Sequence, residues 1–476
     1  MIDFKSINFG ESDADTEALR TPLVFNQVFF DPNNYLEELL HGYRYIVRGR
    51  KGDGKTAYGA KIKLLTEKTE DYAFQRSLLN FNNTTFSNIK TYDTVGGNPY
   101  ISFWKCVLLI EFVNMINEFE PFVQDENYTN LVYNLERYGF ISPDNDIVTT
   151  IDKLVETNTS IEINKFIGHS RKKAQIEQIS GAEGIFNAIF NIIRTLYIPH
   201  DFYYILDGLD DILNNTEFKA EIITGLIRAV DIINQKMHKQ TLHVKIILLI
   251  RDDIWNLCRD PNLTKIQRDS SIRLDWSIND DVLKSNLIRL VEKRVDYVTQ
   301  KENSFQDMWS EVFADKISGK DSLAYVLDNL IYRPRDILQF FIEAKKQFQN
   351  KKFSEGNIQD ILRNYSTEYF IDALKDELTG FFPNSFVTKL PNILSKMGYR
   401  EFYLKDFEEE CNNYPEFESI SKHDVLEKLF DAGNIGQHRP RENRDYTVFS
   451  YRNVRESFVA EHECIIHRGL LRALSY

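Results

Sequence analysis

The chain reads as an α/β protein built on a parallel sheet. Three observations predict this. The runs YRYIVRG (43–49), FYYILDGLDD (202–211) and HVKIILLIRDD (243–253) are apolar, strand-sized and end in glycine or acid. Stretches with apolar residues at helical spacing lie between them, as in EFKAEIITGLIRAVDIINQKMHK (217–239). Strands that alternate with helices indicate βαβ units, whose crossovers return the chain to pair in parallel. Finally, 476 residues at 42% hydrophobic and 27% charged suit a globular protein of two or three domains.

The first strand runs into Gly49-Arg50-Lys51-Gly52-Asp53-Gly54-Lys55-Thr56, the spacing G-x-x-x-x-G-K-T, and TAYGAKIKLLTEK follows with helical spacing. Strand, glycine loop and helix form the context of a phosphate-binding loop. Glycines let backbone N–H groups turn toward phosphate oxygens, and the helix adds its positive N-terminal end. Lys55 supplies a point charge for the β and γ phosphates, and Thr56 offers a hydroxyl to Mg²⁺. The expected nucleotide-binding set is Gly49, Lys51, Gly52, Asp53, Gly54, Lys55, Thr56 and Ala57, with ATP and Mg²⁺ as cofactors.

The second strand, Tyr203 to Leu206, ends at Asp207. Ligands bind outside the carboxyl ends of parallel strands, so Asp207 is expected across the site from Lys55, holding Mg²⁺ directly or through water. Asp210 and Asp211 come next, and either can orient or deprotonate an attacking water. The third strand ends at Arg251, which is expected to sense the γ-phosphate or steady transition-state charge. Asp252 and Asp253 are expected to pair with it or with nearby lysines. Arg333 and Arg335 flank Pro334 at a helix start in YRPRDIL, from which a guanidinium can reach the nucleotide.

Residues 1–300 are therefore assigned to a nucleotide-binding core, with a large helical insertion at about 77–195 that includes ISFWKCVLLIEFVNMINEF and GIFNAIFNIIRTLYI. SIRLDW (271–276) offers an edge strand. Residues 301–379 read as a helical lid. In 380–476, three helical pieces precede YTVFSYRN, which alternates like a strand, and this order suggests a winged helix.

The net charge of −13 opposes nucleic acid, and residues 381–476 hold 13 lysines and arginines against 15 acids. Only the proposed wing is basic, through Arg439, Arg441 and Arg444, a possible contact to duplex DNA. Packing on the core or on a protein partner is the alternative use of that domain. Cys106, Cys258, Cys411 and Cys464 are far apart, which fits neither a disulfide framework nor a cysteine zinc site. The acidic N-terminus lacks a signal-peptide core, and the strongly apolar runs are strand-sized, so a cytoplasmic protein without a membrane span is expected.

The glycine loop, LDGLDD, LIRDDIW, RPRDIL and the closing YRNVRESFV and IIHRGLLRAL together resemble bacterial P-loop ATPases related to the STAND and KAP groups. The acid cluster is similar to the D-G-x-D-E cluster of NACHT-type switches. The resemblance implies an additional-strand P-loop core, a lid and a winged helix. It also implies ATP-driven switching linked to phage defence or signalling, with a protein partner or homo-oligomer. Asp53 stands where the family pattern has a small residue, which puts a carboxylate close to the phosphates.

Overall fold

The computed structural model describes residues 2–11, 13–78, 98, 100–120, 123–142, 146–156, 182–209, 219–240, 242–277, 282–440, 446–452 and 456–475. Contacts divide the chain into two compact units. One comprises Asn34–Gly49 and Tyr58–Arg273; the other comprises Met1–Asn33, Arg50–Ala57 and Leu274–Tyr476.

The first unit carries a five-stranded sheet of β1 (Ile46–Gly49), β2 (Tyr72–Ser77), β3 (Phe202–Asp207), β4 (Val244–Arg251) and β5 (Ser271–Arg273). The strand order is β2-β3-β4-β1-β5, and every pairing is parallel. β4 thus lies between β1 and β3, the additional strand implied by the resemblance. β3 and β4 are apolar nearly throughout because helices cover both faces of a parallel sheet. Gly59 lets the helix Lys55–Thr66 approach closely, since a Cβ there would stand 3.3 Å from Ile205 and 3.4 Å from Leu249.

The helix Tyr100–Phe119, legible in the sequence as part of the insertion, is 20 residues long and apolar enough by length and composition to cross a membrane. Its side chains are instead mostly buried within this unit, against the helices Lys219–Lys239 and Ala182–Ile193. The Trp104 indole N–H donates to the Ile222 carbonyl at 3.0 Å. Glu111, in the middle of this helix, is 1% exposed. Its carboxylate accepts from Thr150 Oγ1 at 2.6 Å, Tyr204 Oη at 3.2 Å and Arg76 Nε at 3.4 Å, which ties the insertion to β3 and β2. Burial pushes the Glu111 carboxyl up, and these three donors pull it back.

The second unit has one continuous core, from Ile2 and Phe4 at the N-terminus to Leu474. Phe9 stacks on Phe341 with centroids 4.8 Å apart, and Arg294 forms a buried ion pair with Glu17 at 2.7 Å. A short ribbon, β6 (Lys316–Ile317) and β7 (Lys320–Asp321), precedes the helix Pro334–Gln347, whose proline sits in the first turn. Helices Glu355–Asn364 and Ile371–Leu378 are joined by a π-helical turn, Tyr365–Phe370. Helices Asn384–Met397, Leu404–Cys411 and Lys422–Asp431 follow. They accompany an antiparallel sheet of β8 (Glu401–Phe402), β9 (Ile435–Arg439), β10 (Tyr446–Val448) and β11 (Cys464–Ile466), ordered β10-β9-β11-β8.

His467 is buried beside this sheet, against Phe370, Phe449 and Tyr451. Its Nδ1 accepts from the Gly469 N–H at 3.0 Å, so the neutral ring carries its proton on Nε2, 3.0 Å from Tyr451 Oη. Burial, reinforced by Arg452 and Arg400, pushes its pKa down to about 3 from 6.5. Between those two values the unfolded chain holds one more proton than the folded chain, so stability rises with pH. This contribution is complete above about pH 6.5 and is lost as pH falls toward 3, at up to about 1.4 kcal/mol per pH unit.

Two outcomes are expected. His467→Gln flattens the acid limb of stability against pH relative to the native chain, as measured by urea unfolding from pH 3 to 7. Trp104→Ala costs about 3–5 kcal/mol in the same assay at neutral pH, because a cavity replaces a packed indole and its hydrogen bond is lost.

Candidate nucleotide site

In the sheet unit, Gly49, Asp207 and Arg251 close β1, β3 and β4 at their carboxyl ends, and Gly49 stands in register with Arg251. The Asp207 carboxylate accepts from the Gly208 N–H at 2.8 Å, in a turn where Gly208 has φ +74°. Arg251 is 4% exposed, and its guanidinium makes a bidentate pair with Asp253 at 2.9 and 2.7 Å. Asp252 takes a different partner from the one expected. It accepts from Arg48 at 2.9 Å and Arg273 at 2.8 Å, and Arg48 lies 4.3 Å from the centre of the Trp255 ring. Asp210 and Asp211 lie outside the described residues.

The glycine loop packs in the second unit. Gly52 (φ +86°) and Gly54 (φ +93°) take the left-handed conformation that side chains disfavour. A Cβ on Gly52 would stand 3.3 Å from Arg335, whereas a Cβ on Gly54 would point into open space. The loop folds around Asp53, which is 1% exposed. Its carboxylate accepts from the Arg50 backbone N–H at 2.7 Å and from the Arg50 guanidinium at 3.3–3.4 Å. Burial pushes the Asp53 carboxyl up, and Arg50 with Lys55 pulls it back. The negative charge expected beside the phosphates is therefore turned inward and paired. Lys55 Nζ donates to the Arg50 carbonyl at 3.0 Å, Ala57 N–H to the Gly54 carbonyl at 3.1 Å, and the Trp276 indole to the Asp53 carbonyl at 2.9 Å.

Two arginines tie this loop to the start of the helix Pro334–Gln347. Arg50 Nη2 donates to the Tyr332 carbonyl at 2.9 Å, and Arg333 Nη1 donates to the Lys51 carbonyl at 3.1 Å. The Arg335 backbone N–H also approaches the Gly52 carbonyl at 3.4 Å, and Lys51 Nζ lies 3.4 Å from Asp376. Arg333, expected to reach a phosphate, is 3% exposed and paired with Asp336 at 2.5 Å and Glu377 at 2.9 Å. Burial alone would lower its pKa, but Asp336, Tyr369 and Glu377 together outweigh this and hold it well above the ordinary range. Tyr365 Oη donates to the same Asp336 at 2.5 Å. Arg50, Trp276, Asp336 and Glu377 escape a reading by motif because each acts through packing and backbone carbonyls rather than spacing.

Arg439, the first of the three proposed nucleic-acid contacts, is 7% exposed. Its guanidinium is bonded to the Ser457 carbonyl and His462, with Glu456 at 3.7 Å. Arg441 and Arg444 lie outside the described residues.

Removing one member of a buried ion pair strands the other. Asp336→Leu is therefore expected to cost about 3–5 kcal/mol in chemical unfolding. The triple variant Arg333→Met/Asp336→Leu/Glu377→Gln should lose less than this single one, because no uncompensated buried charge of the cluster remains.

Comparison with known proteins gives three findings. Residues 285–374 match the family model described as the FunZ-associated C-terminal helical domain, FunZ_C. The "Putative transposon gamma-delta 80.3 kDa protein" of Escherichia coli strain K12 is 24% identical over 361 residues, covering 72% of this chain and 47% of that protein. The chain thus spans about half the length of the curated relative it matches. The crystal structure of Cdc6p from Pyrobaculum aerophilum aligns over 93% of this chain and 92% of its own, at 13% identity and a TM-score of 0.31.

Proposed function

We propose that the chain is a P-loop ATPase acting as a regulatory switch. The observation that carries this reading is the G-x-x-x-x-G-K-T loop between β1 and its helix, in a parallel sheet whose β3 ends in Asp207. The residues fit a magnesium–triphosphate. Gly54 is left-handed with open space beyond its Cα, Lys55 is folded against the loop it would leave for a phosphate, and Asp207 stands at a strand end. In this reading Lys55 binds the β and γ phosphates, with Thr56 and Asp207 as metal-holding residues. Mg²⁺ would supply charge neutralisation to the phosphates. Asp210 or Asp211 orients the water, and Arg251 steadies charge.

The switch reading rests on the loop's attachments in its own unit. A change in the Lys51 or Gly52 carbonyl must be accommodated by Arg333 and Arg335, and so by the helix they begin. The arrangement of Asn384–Ile466, three helices with an antiparallel sheet, supports a winged helix as the responding element. A protein partner or a second copy of the chain is the target of such a switch.

A second reading, an ATPase associated with duplex DNA, is favoured by the transposon name of the relative. The internal bonds of Arg439 weigh against its use as a phosphate contact.

ATP titration by calorimetry tests the first reading. Lys55→Ala is expected to weaken binding by at least about tenfold, the worth of one charge-assisted hydrogen bond. Asp207→Ala is expected to retain binding but lose Mg²⁺-dependent turnover. A native chain that does not bind ATP overturns the proposal, and turnover stimulated by duplex DNA promotes the second reading.

A further inference from the structure

We propose that Glu401, His438 and Glu463 form a binding site for a zinc-class divalent cation, separate from the nucleotide site. The three side chains come from three places in the C-terminal sheet: β8, β9 and the residue that leads into β11. The register brings them together. Ile465 pairs with Glu401, Cys464 pairs with Gln437, and the His438 N–H donates to the Glu463 carbonyl at 2.9 Å. One ligand atom from each lies within 4.8 Å of the others, and His438 Nε2 is 3.6 Å from Glu401 Oε1.

Two features distinguish this cluster from an ordinary ion pair. Two carboxylates converge on one imidazole, and among the described residues neither has a lysine or arginine within ion-pair distance. Like charges so placed repel unless a cation stands between them. The second feature is the orientation of the ring. Thr447, opposite His438 on β10, has its hydroxyl 3.1 Å from Nδ1, which leaves Nε2 facing the carboxylates. A metal-bound histidine is held in this way, with its other nitrogen engaged by a neighbouring polar group.

Imidazole with two carboxylates and open access matches the three-ligand zinc arrangement, in which water completes the coordination. Magnesium, which prefers oxygen ligands in octahedral geometry, is a poorer match. The bound cation would join β8 to the β9–β10 hairpin through side chains as well as through the ladder of β11.

The test is Zn²⁺ titration of the full chain, without nucleotide and with thiols kept reduced. Native protein is expected to bind one equivalent through this site. His438→Gln, Glu401→Gln and Glu463→Gln should each weaken it by about tenfold or more, and Thr447→Val by about tenfold, the lower range for loss of a supporting partner. His423→Ala, in the exposed group His423, Asp424 and Glu427, should leave this equivalent unchanged. Far-UV circular dichroism verifies that each variant is folded, and exposed Glu401 supplies a variant that burial does not constrain. No uptake by the native chain overturns the proposal. So does uptake that survives His438→Gln or disappears in His423→Ala.

Discussion

Two arginines exchange hydrogen bonds with the backbone beside each other, and the candidate loop depends on that exchange. Arg50 reaches from the loop to the carbonyl of Tyr332, while Arg333, one residue further along, reaches back to the carbonyl of Lys51. Each cation is held by an acid of its own segment, Asp53 for Arg50 and Asp336 for Arg333. A buried guanidinium without a carboxylate would be costly. The loop therefore keeps its shape only while the start of the helix Pro334–Gln347 keeps its own. Through Tyr365 and Glu377, that helix start is fixed in turn to the π-helical turn and the helix Ile371–Leu378. Tyr332 extends the connection, since its ring packs on Tyr451 with centroids 5.1 Å apart.

The sheet unit follows a different rule. Its strands are apolar and interchangeable in chemistry, so buried polar groups fix the position of the insertion. Glu111 is the main example, with donors from a neighbouring helix, β2 and β3 converging on one carboxylate. A helix as apolar as Tyr100–Phe119 could slide against its neighbours with little loss of burial. An unsatisfied carboxylate makes every other register expensive.

Much of the architecture was legible because it is written at short range. β1, β3 and β4 announce themselves as apolar runs with acid or glycine at their ends, and the glycine loop has fixed spacing. β2 was not read, since Tyr72–Ser77 lies at the sheet edge, is mostly half-buried, and carries polar Gln75 and Arg76. The apolar helix was legible over nearly its whole length as ISFWKCVLLIEFVNMINEF, but the burial of its polar Lys105, Glu111 and Asn114 was not. Partners at long sequence distance were illegible on principle. Nothing local to Asp53 places the Trp276 indole on its carbonyl, and nothing local to Arg333 assigns it to a carbonyl 282 residues earlier. Motif reasoning gives an exposed-looking arginine a ligand; packing gave this one two carboxylates.

Trp276 gives the molecule an optical property. Its indole N–H is bonded to the carbonyl of Asp53, inside the glycine loop, and its ring is 5% exposed. The excited state of an indole is sensitive to its hydrogen-bond partner and to the polarity around it. Among the four tryptophans of the chain, this one reads the loop backbone directly. Emission from Trp276 therefore makes the loop's conformation observable in solution without an added dye, on the timescale of the loop's own rearrangement.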